Sequence, residues 1–192
     1  MKKKRKRPKQ QSGDFKIFTC KVTGEPVDTG WNVPPELMEQ LPGLHATAMS
    51  HPQKAADILE KLKGKYPHVP QVFNLLGLAY SQLGNKTKAN EIAKENYLKN
   101  PDYLFAKINY AELFIHEKQF EKIPPIFDNK LDLQLLYPHR HVFHLSEVAA
   151  FYGFIGLYYV FTNDMELANS CYKILEKVYP EHPSTKRLLT YL

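Results

Sequence analysis

The chain has 192 residues, enough for one domain with a packed interior, and its 43% hydrophobic and 12% aromatic content suits stacked helices. The formal net charge of +6 belongs to one end: Lys2, Lys3, Lys4, Arg5, Lys6, Arg7 and Lys9 supply +7, which leaves about −1 for the rest. A uniformly basic body is therefore excluded, and the only two cysteines, Cys20 and Cys171, have neither metal-ligand nor redox spacing, which points to free thiols in a reducing cytoplasm.

Residues 1–13 are poor in apolar side chains and dense in like charge, the composition of a segment that is disordered in isolation. The run resembles the positive start of a signal peptide but leads into polar residues 8–14, so no export segment is expected. Its cations suit a solubilising tail, contact with the phosphates of RNA or a ribosome, or a nuclear address if the cell has a nucleus. Aromatic residues that would stack on bases are absent before Phe15.

Residues 14–35 read as an extended arm or hairpin. Phe15, Ile17, Cys20, Val22 and Val27 alternate loosely with polar residues, and Thr23-Gly24-Glu25-Pro26 is a turn signal. Such a piece is marginal alone, so it packs on the body or stays loose, with Trp31, the only tryptophan, as its anchor.

Helical patterning begins near Glu36. Pro42 lacks a backbone donor and clashes with a preceding turn, so the first helix should be short, broken near Leu41, or displaced. The next helix is regular, with Pro52 in its first turn, Ala55, Ile58, Leu59 and Leu62 on one face, and an end between Gly64 and Pro67. From Pro70 the pattern sharpens: Phe73, Leu76, Gly77 and Tyr80 share one stripe at i, i+3, i+4, i+7. Leu83-Gly84-Asn85 reads as helix stop and turn, Gly84 supplying a left-handed cap. Gly77 and Ala89 are small where two helices would cross closely.

With Pro70 as position 1, Phe73, Leu76, Gly77, Tyr80, Ala89 and Pro101 fall at positions 4, 7, 8, 11, 20 and 32, and this spacing resembles the tetratricopeptide repeat (TPR), a helical hairpin of about 34 residues. Ala55 precedes Ala89, and Pro67 precedes Pro101, by the same 34 residues. Gly77, Tyr80, Ala89 and Pro101 return as Gly156, Tyr159, Ala168 and Pro180, displaced by 79 residues, which is two repeats and an insertion of 11. The intervening repeat runs from Leu104, with Tyr110, Ala111, Phe114 and Phe127 at its signature positions. Its second helix meets Pro124 and Pro125 and should start late or kink there, at about 3 kcal/mol for each proline in a helix interior. Residues 128–144 hold the extra length, a helix over 145–161 follows with Gly153 and Gly156 letting backbones close up, and Asn163, Asp164 and Glu166 mark the next helix start. Residues 183–192 should form a closing helix in which Leu188, Leu189 and Leu192 cover the last face. The apolar run 148–161 is 14 residues long, short of the roughly 17–25 that span a bilayer, and no membrane association is expected.

The resemblance, which covers residues 36–180, implies an all-α right-handed solenoid of about four helical hairpins with a short non-helical arm. The expected divisions are a basic tail at 1–13, an arm at 14–35 and a repeat domain at 36–192. It further implies a protein-interaction module whose first helices line a concave groove for a partner helix or extended peptide. Carried onto the matching positions, the groove residues are Gln71, Asn74, Leu78, Ser81 and Gln82, then Phe105, Ile108, Asn109, Glu112, Ile115 and His116. The TPR subgroup that grips a C-terminal carboxylate has Lys at 5 and Asn at 9, Asn at 6 of the next repeat, then Lys at 2 and Arg at 6. Asn109 occupies a 6, but Asn74, Leu78, Ala150 and Phe154 replace the others, so a carboxylate clamp is not expected. An alternative role is an RNA-associated or ribosome-associated factor that holds nucleic acid with the tail and protein with the repeats. His139, His141 and His144 do not share one helical face and lack companion ligands, so they read as a polar, titratable loop around the turn Tyr137-Pro138, without a metal. No nucleophile elbow, phosphate loop or HExxH motif is present, so neither catalysis nor a cofactor is expected.

Overall fold

The computed structural model describes residues 20–27 and 31–192, and the basic tail, Phe15 and Ile17 lie outside them. The described chain is an all-α helical repeat with two three-residue strands. The break expected near Leu41 falls between α1 (Pro35–Met38) and α2 (Leu41–Ser50). Pro42 then stands in the first turn of α2, where its missing N–H would have had no helical partner. Helix α3 (Pro52–Lys65) completes the first hairpin, α4 (Pro70–Gln82) and α5 (Lys86–Lys99) form the second, and α6 (Leu104–His116) opens the third.

The repeat is written most plainly in how the first helices of the second, third and last hairpins end; α2 of the first hairpin ends differently, at His51 with φ −138°. Gly84, Lys118 and Asn163 all adopt left-handed backbone, at φ +71°, +57° and +63°. In each case the next amide reaches back to the carbonyl five residues earlier: Asn85 N to Tyr80 O at 2.9 Å, Gln119 N to Phe114 O at 2.9 Å, Asp164 N to Tyr159 O at 2.8 Å. This Schellman closure satisfies carbonyls that the helix end would otherwise orphan. Asn85 and Asp164 then cap the following helices with their side chains.

The second helix of the third hairpin starts late, at the prolines, as expected, but it does not continue. A 3₁₀ turn (Phe120–Lys122) leads into α7 (Ile123–Ile126), which stops after one turn. Pro124 and Pro125 are tolerated only because they fall in that first turn, and Asp128 and Asn129 leave it at φ +54° and +59°. Lys107 of α6, 4% exposed, donates from Nζ to Ile126 O at 2.8 Å, satisfying a carbonyl that a longer helix would have paired. The chain then returns through α8 (Leu133–Leu136), where Tyr137 Oη donates to Asp102 O beside the start of α6. Buried Ile123, Ile126, Phe127, Leu133 and Leu136 thus supply the apolar face of the absent helix from an irregular segment. The histidine-bearing loop is accordingly less polar than expected: it includes strand β2 (Val142–His144), whose Phe143 is fully buried.

Helices α9 (Leu145–Phe161) and α10 (Met165–Val178) form the last hairpin, closed by α11 (Pro183–Leu189). The backbones close up at Gly153, where a Cβ would stand 2.5 Å from Ser184 Cβ and 3.5 Å from its Cα, whereas at Gly156 it is the Leu188 side chain that a Cβ would overlap. Gly77 is a correction, since a Cβ there would meet only Ile92 Cγ2 at 3.8 Å. The last face is also covered differently: Leu188 is buried, whereas Leu189 and Leu192 remain in solvent.

The described part of the arm, residues 20–27, includes an extended strand. Strand β1 (Lys21–Thr23) pairs in parallel with β2, in the register Lys21 with Val142, Val22 with Phe143 and Thr23 with His144. Two apolar cores result, one around Phe73, Leu76 and Leu59 from α1 to α5, the other around Phe127, Phe151 and Ile155 from α6 to α11.

Candidate functional site

Helix α5 packs on both α4 and α6, which meet each other only lightly. The wedge between them is a cleft of about 570 Å³. Its floor includes Gly77, Ala89 and Ala93; Asn74, Leu78 and Ser81 stand on the α4 side, and Asn109, Glu112, Leu113 and His116 on the α6 side. Small residues at Ala89 and Ala93, one turn apart on α5, keep the floor low. Charge in the cleft is sparse: Lys86 at one end, and Glu112, which Arg187 of α11 neutralises in an ion pair at 2.5 Å.

At the root of the cleft, where the two apolar cores meet, lies a chain of amides. Asn74 Oδ1 accepts from Asn96 Nδ2 and from Asn109 Nδ2, both at 3.1 Å. Asn96 Nδ2 also donates to Pro70 O at 3.3 Å, and its Oδ1 accepts from Asn100 Nδ2 at 2.9 Å. Asn96 and Asn100 are almost fully buried, so these bonds are required to offset desolvation of the amides. Asn74 Nδ2 reaches Tyr103 Oη at 3.4 Å, and burial pushes the Tyr103 phenol well above its ordinary range, so it stays protonated.

Of the groove positions expected from sequence, Asn74, Leu78, Ser81, Asn109, Glu112 and His116 line this cleft. Ile108 and Ile115 do not: at 6% and 7% exposure they belong to the second core. The reason is that α9 packs directly against α6 and that core takes up their face. Phe105 lies outside the cleft against Tyr103, ring centroids 5.6 Å apart, and Gln82 is exposed beyond it. Gln71 is half-buried, its Oε1 without a hydrogen-bond partner among the described residues. Sequence reading missed Asn96 and Asn100, whose side chains look solvated in a linear pattern. The spacing of Ala89 and Ala93 was the available signal for the floor. The tail cations Lys2 to Arg7 and Lys9 lie outside the described residues.

The arm borders this region. Trp31 stands edge-on to Tyr103 with centroids 5.5 Å apart, which fits its expected role as anchor. Cys20 and Val22 pack on the second core. At the strand pair, the His144 ring caps α9: Nδ1 accepts from Ser146 N at 3.1 Å, while Glu147 Oε2 accepts from His144 N at 2.9 Å, a reciprocal capping box. The other ring nitrogen, Nε2, donates to Gly24 O of the arm at 3.1 Å. Glu147, buried at 5% exposure, is held by a two-pronged bond from Arg140, at 2.9 and 2.8 Å. No group of His, Cys, Asp or Glu among the described residues is arranged to hold a metal ion. Burial pushes the Cys171 thiol up to about 12 and raises that of Cys20, so neither is an activated nucleophile. No described helix is long and apolar enough to cross a membrane.

The chain matches no established family profile. It is 32% identical over 85 residues to the TPR repeat-containing protein YvcD of Bacillus subtilis (strain 168), a match that covers 44% of this chain and 17% of that protein. The chain therefore spans well under two thirds of the relative's length. The match, the 34-residue pattern and the helical hairpins agree on the kind of repeat.

Proposed function

Because the chain is a TPR-like helical repeat protein, we propose that it works as a protein-interaction module that seats a partner's extended peptide or helix in the α4–α6 cleft. The observation that carries this reading is the cleft itself: a low floor of Gly77, Ala89 and Ala93 beneath side walls rich in amides, with its one acidic residue paired to Arg187. Apolar floor and amide walls suit a segment that buries a side chain while its polar groups find hydrogen-bond partners, and they give little purchase to a highly charged ligand. The repeat resemblance supports a scaffold role over a catalytic one.

The test fills the cleft. Peptides selected from a random library on the wild-type chain should lose at least about tenfold in affinity for Ala93→Trp, a loss of roughly 1.4 kcal/mol. Helical circular dichroism should be unchanged, because Ala93 is only half-buried. Selected peptides that bind both proteins equally would place the binding surface elsewhere.

A further inference from the structure

The His144 ring holds two partners of fixed and opposite polarity. Ser146 N–H can only donate and Gly24 C=O can only accept, so the bonds at 3.1 Å each require Nδ1 bare and Nε2 protonated, the neutral imidazole. One ring thereby caps α9 and ties down an arm that is 120 residues away in sequence. The strand pair it supports has three residues on each side, and two-stranded sheets of that size are marginal without help. From this geometry we infer that His144 is a proton-operated latch: neutral, it docks residues 20–27 on the body; charged, it releases them.

The physical steps are local. A proton on Nδ1 meets the Ser146 N–H, a donor facing a donor, and it sets a positive charge at the positive end of the α9 dipole. The Ser146 hydroxyl, 2.7 Å from Nδ1, can turn to accept, but the amide beside it stays unpaired. Turning the ring away to relieve this also breaks the bond to Gly24, because both bonds belong to one rigid ring. Charged groups around the ring come from three places. On α9, Glu147 would favour the imidazolium, but its carboxylate is already held by Arg140 from the preceding loop, which opposes it. On the arm, Lys21 and Glu25 flank Gly24 with opposite signs and are both exposed.

The experiment follows the amide resonances of residues 21–24 in the full isotope-labelled chain between pH 8 and 5, with Trp31 emission and far-ultraviolet circular dichroism recorded alongside. In the wild type these resonances should move toward unpaired positions as the pH falls from 8 to 5, while helicity is retained. His144→Asn, a neutral cap, should abolish that pH dependence whether its arm is docked or free, and His141→Asn should keep it. A transition that survives in His144→Asn, no transition in the wild type, or helicity lost along with it would each overturn the latch.

Discussion

Two glycines that look alike in the sequence do opposite work. Gly77 and Gly156 occupy the same repeat position, yet a methyl group at Gly77 has ordinary room beside Ile92, whereas at Gly156 it overlaps Leu188 and stands 3.2 Å from Cys171 Cβ. Gly77→Ala should therefore stabilise the chain by up to about 1 kcal/mol, the helix-propensity gain, and Gly156→Ala should destabilise it by about 1–3 kcal/mol through overpacking. Urea denaturation of the two variants decides it; shifts of the same sign would show that the crossing of α9 and α11 is not as tight as described. The alanines at position 20 behave similarly, Ala168 being fully buried and Ala89 only half-buried at the cleft floor.

Among the elements, the left-handed closures set the repeat length. Gly84 takes its backbone conformation without strain, but Lys118 pays about 1–2 kcal/mol for its Cβ at φ +57°. Lys118→Gly should raise the urea midpoint by an amount equivalent to about 0.5–1 kcal/mol, part of the gain being returned as greater unfolded-chain entropy. A lower midpoint would mean that the Lys118 side chain makes a stabilising contact outweighing its strain. The same closure recurs at Asp128, where Asn129 N reaches Pro124 O at 2.9 Å, and this is why α7 ends after one turn instead of kinking onward.

At the scale of the whole molecule, two apolar cores joined through an amide seam bury several groups that must stay neutral. The Cys171 thiol is raised from 9.0 to about 12 by burial, Tyr159 from 10.0 to about 12, and burial drives Tyr103, Tyr137 and Tyr152 higher still. Each folded value lies above the unfolded one, so this stabilisation is intact below about pH 9 and is lost as pH rises toward 12. For Cys171 the loss is roughly 1.4 kcal/mol per pH unit once its unfolded value is passed. The urea midpoint should accordingly fall between pH 8 and pH 10.5, and a constant or rising midpoint would contradict the burial.

The sequence by itself determined the repeat, because a 34-residue period of aromatic, small and proline positions has few other physical readings, and α9 begins and ends where its pattern says. It also located the break at Pro42 and, among the residues that line the cleft, Asn74, Leu78, Ser81, Asn109, Glu112 and His116, since neighbours on one helix face are a local matter. What only the tertiary structure decided are the events between distant segments. The amide of Asn96 is buried because Pro70, Asn74 and Asn100 converge on it; Ile108 and Ile115 leave the groove because α9 packs onto α6; β1 finds β2; and His144 turns from a loop histidine into a cap with a second partner. Periodicity records which face of an element is apolar, but it carries no information on which other element will cover that face or which polar group will be buried with it.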